Sequence, residues 1–279
     1  MAVVLALAAS ALWGSADFGG GLLSRRLSPL AVVFLSQLVA LFGIIGLLFA
    51  TGHEPLVGNY LWYAAASGVV GPLALFALYR ALSIGPMGLV APIAATGVLI
   101  PVFVGMVQGE RPSTVQFAGV ALAVIGVVLA SGPELGGAAR GHRRLGLLLA
   151  AAAAVGFGAL FALIARSAEG DLATALLVQR TINVMLGVLL VALVVRAAPR
   201  PARKDLPLLV FVGLADVAAN AAFALASRSG LVSVVAVLAS LYPVVTVLLA
   251  RQLLGERLRG VQRAGTVVAL GGVVLLAAG

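Results

Sequence analysis

The 279-residue chain has too few charges for a protein folded in water: 62% of its residues are hydrophobic, 10% are charged, and the mean hydropathy is +1.18. Soluble domains carry about 25% charged residues, so a water-soluble fold is excluded and lipid is the expected solvent. The net charge of +9 falls on residues that flank apolar runs. This pattern indicates membrane lipid, and not nucleic acid, as a partner.

Ten apolar runs follow one another along the chain. A helix needs about 20 apolar residues to cross the hydrocarbon core, and these runs are continuous, unlike the alternating strands of a barrel. We therefore predict an all-α integral membrane protein with ten transmembrane helices. The predicted spans are residues 2–23, 30–50, 60–82, 86–108, 114–131, 145–165, 172–195, 206–227, 230–252 and 260–278.

No cofactor or metal site is predicted from this sequence. It has no cysteine, which excludes disulfides and thiolate ligands. The two histidines, His53 and His142, fall between spans, and we interpret both as plain loop residues because a histidine metal site needs several partner ligands.

An internal repeat divides the chain into two halves. The turn Gly109-Glu110-Arg111 recurs as Gly255-Glu256-Arg257, and Val115-Gln116 recurs as Val261-Gln262 at the same offset. We predict a first five-helix repeat over 1–131, a linker loop over 132–144 and a second repeat over 145–279. Because each repeat crosses the membrane an odd number of times, the second is inverted relative to the first, as in many secondary transporters with a central cavity.

Three segments resemble the EamA family of the drug/metabolite transporter superfamily: Trp13-Gly14-Ser15, the two Gly-Glu-Arg turns, and Tyr242-Pro243-Val244-Val245-Thr246. The resemblance covers essentially the whole chain. It implies a ten-helix carrier of small metabolites, amino acids or drugs in the cell (inner or plasma) membrane, as a monomer or homodimer. This chain departs from the family by carrying Asp17, where similar proteins usually have an uncharged residue, and by placing Pro101 about one turn later than Pro243.

The basic residues are unevenly divided between the two membrane faces. Alternation of the spans places one large set on a single side, which we call the basic face: Arg25, Arg26, Arg140, Arg143, Arg144, Arg196, Arg200, Arg203, Lys204, Arg251, Arg257 and Arg259. The opposite face holds only Arg111, Arg166 and Arg228. The positive-inside rule then makes the basic face cytoplasmic and places both termini outside, whereas the family resemblance implies termini inside.

Polar residues inside the predicted spans are the candidates for a binding site, since a charge at mid-membrane costs about 2.5–3.5 kcal/mol to insert. Asp216 lies near the middle of the eighth span, with Asn220 one turn further along. We predict Asp216 as a substrate-binding and proton-coupling carboxylate; the alternative is a structural pair with Arg180. Arg180, with Asn183 one turn later, either binds a substrate carboxylate, neutralises Asp216 or extends to the interface.

Other candidates complete the predicted site. Asp17 either lines the cavity mouth as a second coupling residue or pairs with Arg25 or Arg26 at the interface. Trp13 offers an aromatic wall. The fourth and ninth spans supply the rest, because prolines free backbone carbonyls at mid-depth and allow hinges. The predicted lining residues there are Thr96, Ser240 and Tyr242, and the predicted hinges are Pro92, Pro101 and Pro243.

The Gly-Glu-Arg turns have a structural interpretation. Gly closes one helix in the left-handed conformation, and Glu stabilises the start of the following helix. Small residues on the fifth and tenth spans predict close packing, of these two helices with each other or with a second molecule. Gly119, Ala123, Gly126, Gly265, Ala269 and Gly272 form these faces.

The sequence predicts a secondary transporter that moves small metabolites (amino acids, amines or drug-like solutes) by alternating access. We expect an exporter, with proton coupling through Asp216 as a hypothesis and uptake as the alternative. An enzyme is not expected, because no histidine or cysteine lies in a span and the intramembrane carboxylates are scattered. A channel is disfavoured because no ring of like charges and no carbonyl-rich filter motif is present.

Overall fold

The computed structural model describes residues 1–84, 90, 93–94, 96–130, 140–194, 201–254 and 260–278. Within these ranges the chain forms helices and no strand, which confirms the all-α prediction. The α-helices are α1 (Ala2–Ser24), α2 (Pro29–Thr51), α3 (Tyr60–Ile84), α4 (Leu99–Val107), α5 (Thr114–Ala130), α6 (Arg140–Ser167), α7 (Leu172–Val194), α8 (Leu206–Ser229), α9 (Val232–Ala239), α10 (Tyr242–Leu254) and α11 (Gly260–Ala278). Short 3-10 turns, Thr96–Val98 and Arg203–Asp205, precede α4 and α8.

Seven helical stretches in the described ranges are long and apolar enough to cross a membrane. They are Ala2–Ser24, Pro29–Thr51, Tyr60–Ile84, Arg144–Ser167, Leu172–Leu193, Arg203–Ser229 and Val232–Leu253, the last containing both α9 and α10. Two apolar helices, Thr96–Val107 and Thr114–Gly126, are shorter. The chain is a multi-pass membrane protein, and the count of ten crossings stays a prediction.

Local sequence sets where α2 begins and ends. Ser28 precedes the helix, and its hydroxyl accepts a hydrogen bond from the Ala31 backbone N–H at 3.2 Å. Pro29 follows at the first helical position, where the missing N–H costs nothing. At the other end Gly52 adopts the left-handed conformation, with φ 63°, and its N–H bonds back to the last turn. This pair of signals is the one that sequence rules associate with a complete helix.

Both spans that contain candidate hinge prolines are interrupted. The ninth span stops at Ala239 and resumes at Tyr242, with Pro243 in the first turn of the new helix. In the fourth span a 3-10 turn ends at Val98, and Pro101 lies in the first turn of α4. Proline is tolerated in a first helical turn because the N–H there has no intrahelical acceptor. The interruptions therefore occur where the prolines allow a new helix to start.

The two halves of the chain make equivalent packing contacts. If α1, α2 and α3 are matched with α6, α7 and α8, the most extensive contacts made by a helix of one half have counterparts in the other. α3 packs on α6 as α8 packs on α1, and α3 packs on α7 as α8 packs on α2. The broken ninth span lies along α1, and the fourth lies along α6. Three further pairs, α2 with α7, α4 with α9 and α5 with α11, join equivalent elements of the two halves. The repeat seen in the sequence is therefore also a repeat of the packing.

Glycine allows each broken span to approach its neighbour. A Cβ on Gly14 of α1 would lie 2.5 Å from the Tyr242 carbonyl oxygen, and a Cβ on Gly158 of α6 would lie 2.3 Å from the Gly97 carbonyl oxygen. Such distances exclude any side chain at either glycine. Thr246 adds a hydrogen bond from its hydroxyl to the Gly14 carbonyl at 2.9 Å. These contacts place the break in the ninth span directly against α1.

The small-residue faces of α5 and α11 pack on each other within one molecule. A Cβ on Gly126 would lie 2.2 Å from the backbone nitrogen of Ala269, and one on Gly272 would lie 2.5 Å from that of Ala123. The two backbones are therefore in direct contact. Of the two arrangements open from the sequence, the structure shows the one that joins these helices to each other.

We predict that Gly126→Ala destabilises the protein by about 1–3 kcal/mol, because the new methyl group must push two backbones apart. Gly271→Ala is the matched control, since a Cβ there meets no atom within 4 Å. Both changes raise intrinsic helix propensity. Thermal unfolding in detergent should show a lower midpoint for Gly126→Ala alone; equal midpoints would contradict the contact.

Candidate functional site

A cavity lies between α1, α2, α3, α6, α7, α8 and α10, near the middle of the long helices. It contains about 490 Å³ of space not occupied by protein atoms, a volume that includes solvent-open space. The lining residues are Trp13, Asp17, Gln37, Gly71, Leu75, Phe157, Leu160, Phe161, Gln179, Arg180, Asn183, Asp216, Asn220 and Tyr242. Seven of the predicted site residues are thus brought to one cavity: Trp13, Asp17, Arg180, Asn183, Asp216, Asn220 and Tyr242.

Asp216 is the centre of a hydrogen-bond network that joins both halves of the chain. Arg180 Nη1 donates to its Oδ2 at 2.6 Å, and Gln37 Nε2 donates to the same oxygen at 3.1 Å. The indole Nε1 of Trp13 donates to Oδ1 at 3.2 Å. Arg180 Nη1 also donates to Gln37 Oε1. The carboxylate is therefore neutralised by Arg180 and held by α1, α2 and α7 together.

Arg180 is almost completely buried, with 1% of its side chain exposed. Its Nη1 is used by Asp216 and Gln37, but Nε and Nη2 have no hydrogen-bond partner among the described residues. These two N–H groups form the side edge of the guanidinium, which matches the two oxygens of a carboxylate. The structure therefore shows Arg180 neutralising Asp216, as one alternative proposed, and leaves a second edge available. It does not extend to the interface.

Three further buried polar atoms on the cavity wall have no partner in the described part of the chain: Gln179 Oε1, Asn220 Oδ1 and the Tyr242 hydroxyl. Buried polar groups in folded proteins are almost always hydrogen-bonded, to protein or to water. Several unpaired groups around one cavity therefore indicate a place for a polar ligand.

Asn183 bridges α7 to α3 where a proline interrupts the hydrogen bonding of α3. In one amide orientation Asn183 donates to Gln37 Oε1 at 2.7 Å. In the other its nitrogen donates to the carbonyl oxygens of Gln179, at 3.0 Å, and Gly68, at 2.6 Å. Pro72 has no N–H for the Gly68 carbonyl four residues earlier. The Asn183 amide can thus satisfy an acceptor that Pro72 leaves free.

Aromatic rings form the apolar wall of the cavity. Trp13 stacks on Phe161 with ring centroids 5.1 Å apart, and Phe161 stacks on Phe223 at 5.0 Å. Phe157 meets Tyr242 edge-on at 6.3 Å. Aromatic faces of this kind accept apolar groups and cations. By contrast Trp62, at the start of α3, is 79% exposed, in agreement with an interface position.

Asp17 lies on the cavity wall and is buried, at 8% exposure. Within the described ranges the structure shows no hydrogen bond or ion pair to its carboxylate. Arg26, one of the two partners considered from the sequence, pairs instead with Asp205 at 3.8 Å. Among the described residues, the cavity therefore contains one carboxylate paired with a cation, that of Asp216, and one without such a pair, that of Asp17.

Thr96, Pro101, Ser240 and Pro243 are not among the residues that line the cavity. Thr96 and Ser240 bond to their own chains, each hydroxyl donating to a carbonyl three residues earlier, at 2.7 and 2.8 Å. Both mark the interruptions of the broken spans, as Pro101 and Pro243 do, and hinge motion at these prolines stays a prediction. Pro92 falls outside the described residues.

Sequence reasoning did not select Gln37, Gln179 or Phe161 as site residues. The two glutamines are polar residues inside apolar spans and match each other weakly in the repeat, which was the available signal. Phe161 gave no signal, because an aromatic residue in a membrane helix has the same composition whether it faces lipid or a cavity. Among the described residues no cluster of histidine, aspartate and glutamate is placed to hold a metal ion.

The comparisons with known proteins agree with this arrangement. The model of the EamA-like transporter family matches residues 1–132 and again residues 144–278. The chain belongs to the EamA-like transporter family. No curated protein matches it. A solved structure titled "Crystal structure of protein" is similar, with a TM-score of 0.80 and 21% sequence identity, over 99% of this chain and 98% of that one; this likeness shows the fold.

In this EamA protein we predict that Asp216→Ala destabilises by about 3–5 kcal/mol, because it leaves the Arg180 guanidinium buried without a counter-charge. Adding Arg180→Met should recover most of that loss by removing the stranded charge. Glu169→Ala is the matched control, since its pair with Arg166 lies on the surface and is worth about 0–1 kcal/mol. Thermal unfolding of the unchanged protein, the two single variants Asp216→Ala and Arg180→Met, the double variant and the control measures this. A double variant as unstable as the sum of its two single changes would exclude the coupling.

Proposed function

We propose that this protein is a secondary carrier for small solutes that bear a carboxylate, and that it binds them in the central cavity. The observation that carries the proposal is the side edge of Arg180, whose Nε and Nη2 are buried and unpaired at mid-depth. Two parallel N–H···O bonds to a carboxylate would satisfy both atoms and add the specificity of a fork geometry. Asp216 supports this role by fixing the opposite edge of the guanidinium.

The rest of the cavity favours a zwitterion with an apolar body. Asp17 lacks a cationic partner among the described residues, and a substrate ammonium group would supply one. The aromatic wall of Trp13, Phe161 and Phe157 would receive an aliphatic or aromatic side chain. Of the solute classes expected from the sequence, amino acids and similar ammonium carboxylates combine all three features. Simple amines would leave the Arg180 edge unpaired.

Alternating access is the mechanism we propose, with ten crossings in two inverted repeats. The exchange of packing pairs between the halves supports it, because a structure with two equivalent halves has two equivalent ways to pack them. The broken spans supply short helices that can move separately from their continuations. The sequence carries no nucleotide-binding loop, so the driving force would be an ion or solute gradient.

Proton coupling, if present, is better assigned to Asp17 than to Asp216. Arg180 already neutralises Asp216 through a 2.6 Å contact, whereas an unpaired carboxylate in the interior is costly unless a proton or a cation neutralises it. A zwitterion and a proton would then alternate on Asp17. In this exchange, protons that enter down their gradient drive the solute out of the cell. Uptake is the alternative direction.

We predict saturable binding of apolar amino acids at Trp13, reported by its fluorescence. The chain has two tryptophans, so Trp62→Phe, a change at an exposed ring, leaves Trp13 as the single reporter. In this background Arg180→Lys should weaken amino-acid binding by about 10- to 100-fold, because a lysine keeps the charge but loses the two-donor edge. Binding of the matching amine, which lacks the carboxylate, should change little.

The amine is the internal control for a general loss of structure. If Arg180→Lys weakened both ligands equally, the carboxylate would not bind at Arg180. If no amino acid changed the Trp13 signal, the proposed substrate class would be excluded, and the same titration with other organic acids would show whether the carboxylate requirement itself holds.

We predict that purified protein in proteoliposomes shows counterflow, in which unlabelled amino acid on one side accelerates entry of labelled amino acid from the other. Asp17→Asn should weaken exchange, because the ammonium group loses its counter-charge, and the flux that is left should lose its stimulation by a pH gradient. Glu54→Gln, at an exposed loop residue, is the control. Flux without saturation or counterflow would indicate a channel, and a changed product would indicate an enzyme.

A further inference from the structure

Glu110, from the first Gly-Glu-Arg turn, contacts the opposite half of the protein. Its Oε1 accepts a hydrogen bond from the backbone N–H of Val232 at 2.7 Å, and its Oε2 accepts one from that of Ser233 at 3.0 Å. These are the first two residues of α9. The N–H groups of a first helical turn have no partner within the helix, and that end carries partial positive charge. Glu110 therefore supplies a charged cap to α9 from another helix pair.

The conformation of the turn Gly109-Glu110-Arg111 places the Glu110 carboxylate at the start of α9. Gly109 adopts φ 96°, the left-handed conformation expected from the sequence, and the Glu110 N–H bonds to the Gly105 carbonyl at 3.0 Å. A Cβ on Gly105 would lie 2.4 Å from Glu110 Oε2, and the three heavy atoms nearest to it would all belong to Glu110. The structure corrects the sequence interpretation, in which Glu stabilises the start of the following helix. Glu110 caps α9, not α5. The second turn, Gly255-Glu256-Arg257, lies outside the described residues.

Two other contacts join the halves at the same end of the molecule. His53, after α2, pairs through Nε2 with Asp171 Oδ1 at 2.9 Å. The Leu56 N–H donates to the Thr174 hydroxyl at 3.0 Å. His53, Leu56, Asp171 and Glu110 lie in loops that the sequence assigns to the opposite face, away from the basic face, and Thr174 lies in the first turn of α7. At the basic face the described loops are joined by the Arg26–Asp205 pair, whose arginine is 58% exposed.

α9 connects this end of the molecule to the cavity. All its residues from Ser233 to Ala239 are buried, and it packs on α1 and α4. After the break at Ser240 and Leu241 the chain continues into Tyr242, whose side chain lines the cavity and whose carbonyl rests against Gly14. A displacement of α9 would therefore alter both the cavity wall and the contact with Glu110.

We propose that the Glu110–α9 contact is a gate latch: it holds the cavity closed toward the opposite face, and the carrier opens to that face by releasing it. The inference rests on the alternating-access carrier proposed above and adds the residue that controls one of its two openings. Both hydrogen bonds of this contact go from the first turn of α9 to one carboxylate. A rigid shift of this short helix would therefore break both at once.

Thiol accessibility tests the latch without any substrate. The chain has no cysteine, so Leu160→Cys places a single thiol on the cavity wall. A membrane-impermeant maleimide is added from either side of oriented membrane vesicles, and the labelling rate is measured for each side. With Glu110 intact we expect slow labelling from the opposite face.

Two changes release the latch from different sides. Glu110→Gln loses the charge and presents an amide N–H₂ to one of the backbone donors. Gly105→Ala displaces the carboxylate sterically, while raising the helix propensity of α4. Each should raise the labelling rate from the opposite face about tenfold or more, the effect of losing one charge-assisted hydrogen bond on a two-state equilibrium. Glu169→Gln, an exposed acid at the same end, should leave it unchanged.

The outcomes separate the two proposals. If Glu110→Gln and Gly105→Ala both label at the normal rate, whatever their unfolding temperatures, the latch is wrong, while the carrier proposal stands. If only Glu110→Gln labels faster and also unfolds earlier, the effect is loss of structure and the latch is likewise overturned. If Leu160→Cys labels rapidly from both faces in every protein, the cavity is a continuous pore and alternating access itself fails.

Discussion

A buried guanidinium at mid-membrane constrains the rest of this structure. Arg180 is 1% exposed, and an arginine in the centre of a membrane helix is costly unless it is paired. Asp216 neutralises it, which fixes α7 against α8. Gln37 and Trp13 complete the hydrogen bonding from α2 and α1. Arg180 and Asp216 belong to the second half of the chain, whereas Gln37 and Trp13 belong to the first. The two halves therefore meet at this network, and the cavity forms around it.

The same pairing is central to the proposal that the cavity binds and releases a polar solute. A carboxylate that is already neutralised holds Arg180 in place and consumes only one edge of the guanidinium. The donors of the other edge have no partner among the described residues, so in the proposed carrier a ligand would be exchanged without stranding a charge. Asp17 has no such partner in the described chain. In the proposed carrier, the Arg180–Asp216 pair would orient the solute, and Asp17 would bind either its ammonium group or a proton.

In the proposed mechanism, the broken helices link the cavity to the surface of the protein. A continuous transmembrane helix satisfies all its backbone groups and moves as one body, whereas an interrupted one can move in parts. The break in the ninth span lies against α1 beside Trp13 and Asp17, and its outer part, α9, begins at the Glu110 carboxylate. Packing without side chains at Gly14 and Gly158 keeps both broken spans in contact with their neighbours. Site and closure are thus parts of one element.

Much of this protein follows from its sequence, for identifiable reasons. Apolar runs of membrane-spanning length predict helices because the bilayer leaves no other way to satisfy the backbone. The Gly-Glu-Arg and Val-Gln matches predict two repeats, and rare polar residues inside spans, such as Asp216 and Arg180, predict where a site lies because charge at that depth is selected against. The glycine of the Gly-Glu-Arg turn predicts a left-handed backbone conformation, which Gly109 adopts.

Only the tertiary structure decided which groups meet. The sequence left Asp216 either free or paired, placed Glu110 at the wrong helix and did not select Phe161, Gln179 or Gln37. Each of these depends on contacts between elements far apart in the chain, and lipid-facing and cavity-facing residues have the same apolar composition. The sequence therefore determined the helices, the repeat and the depth of the charges, while the packing of the two halves determined which donors were consumed and which remained for a ligand.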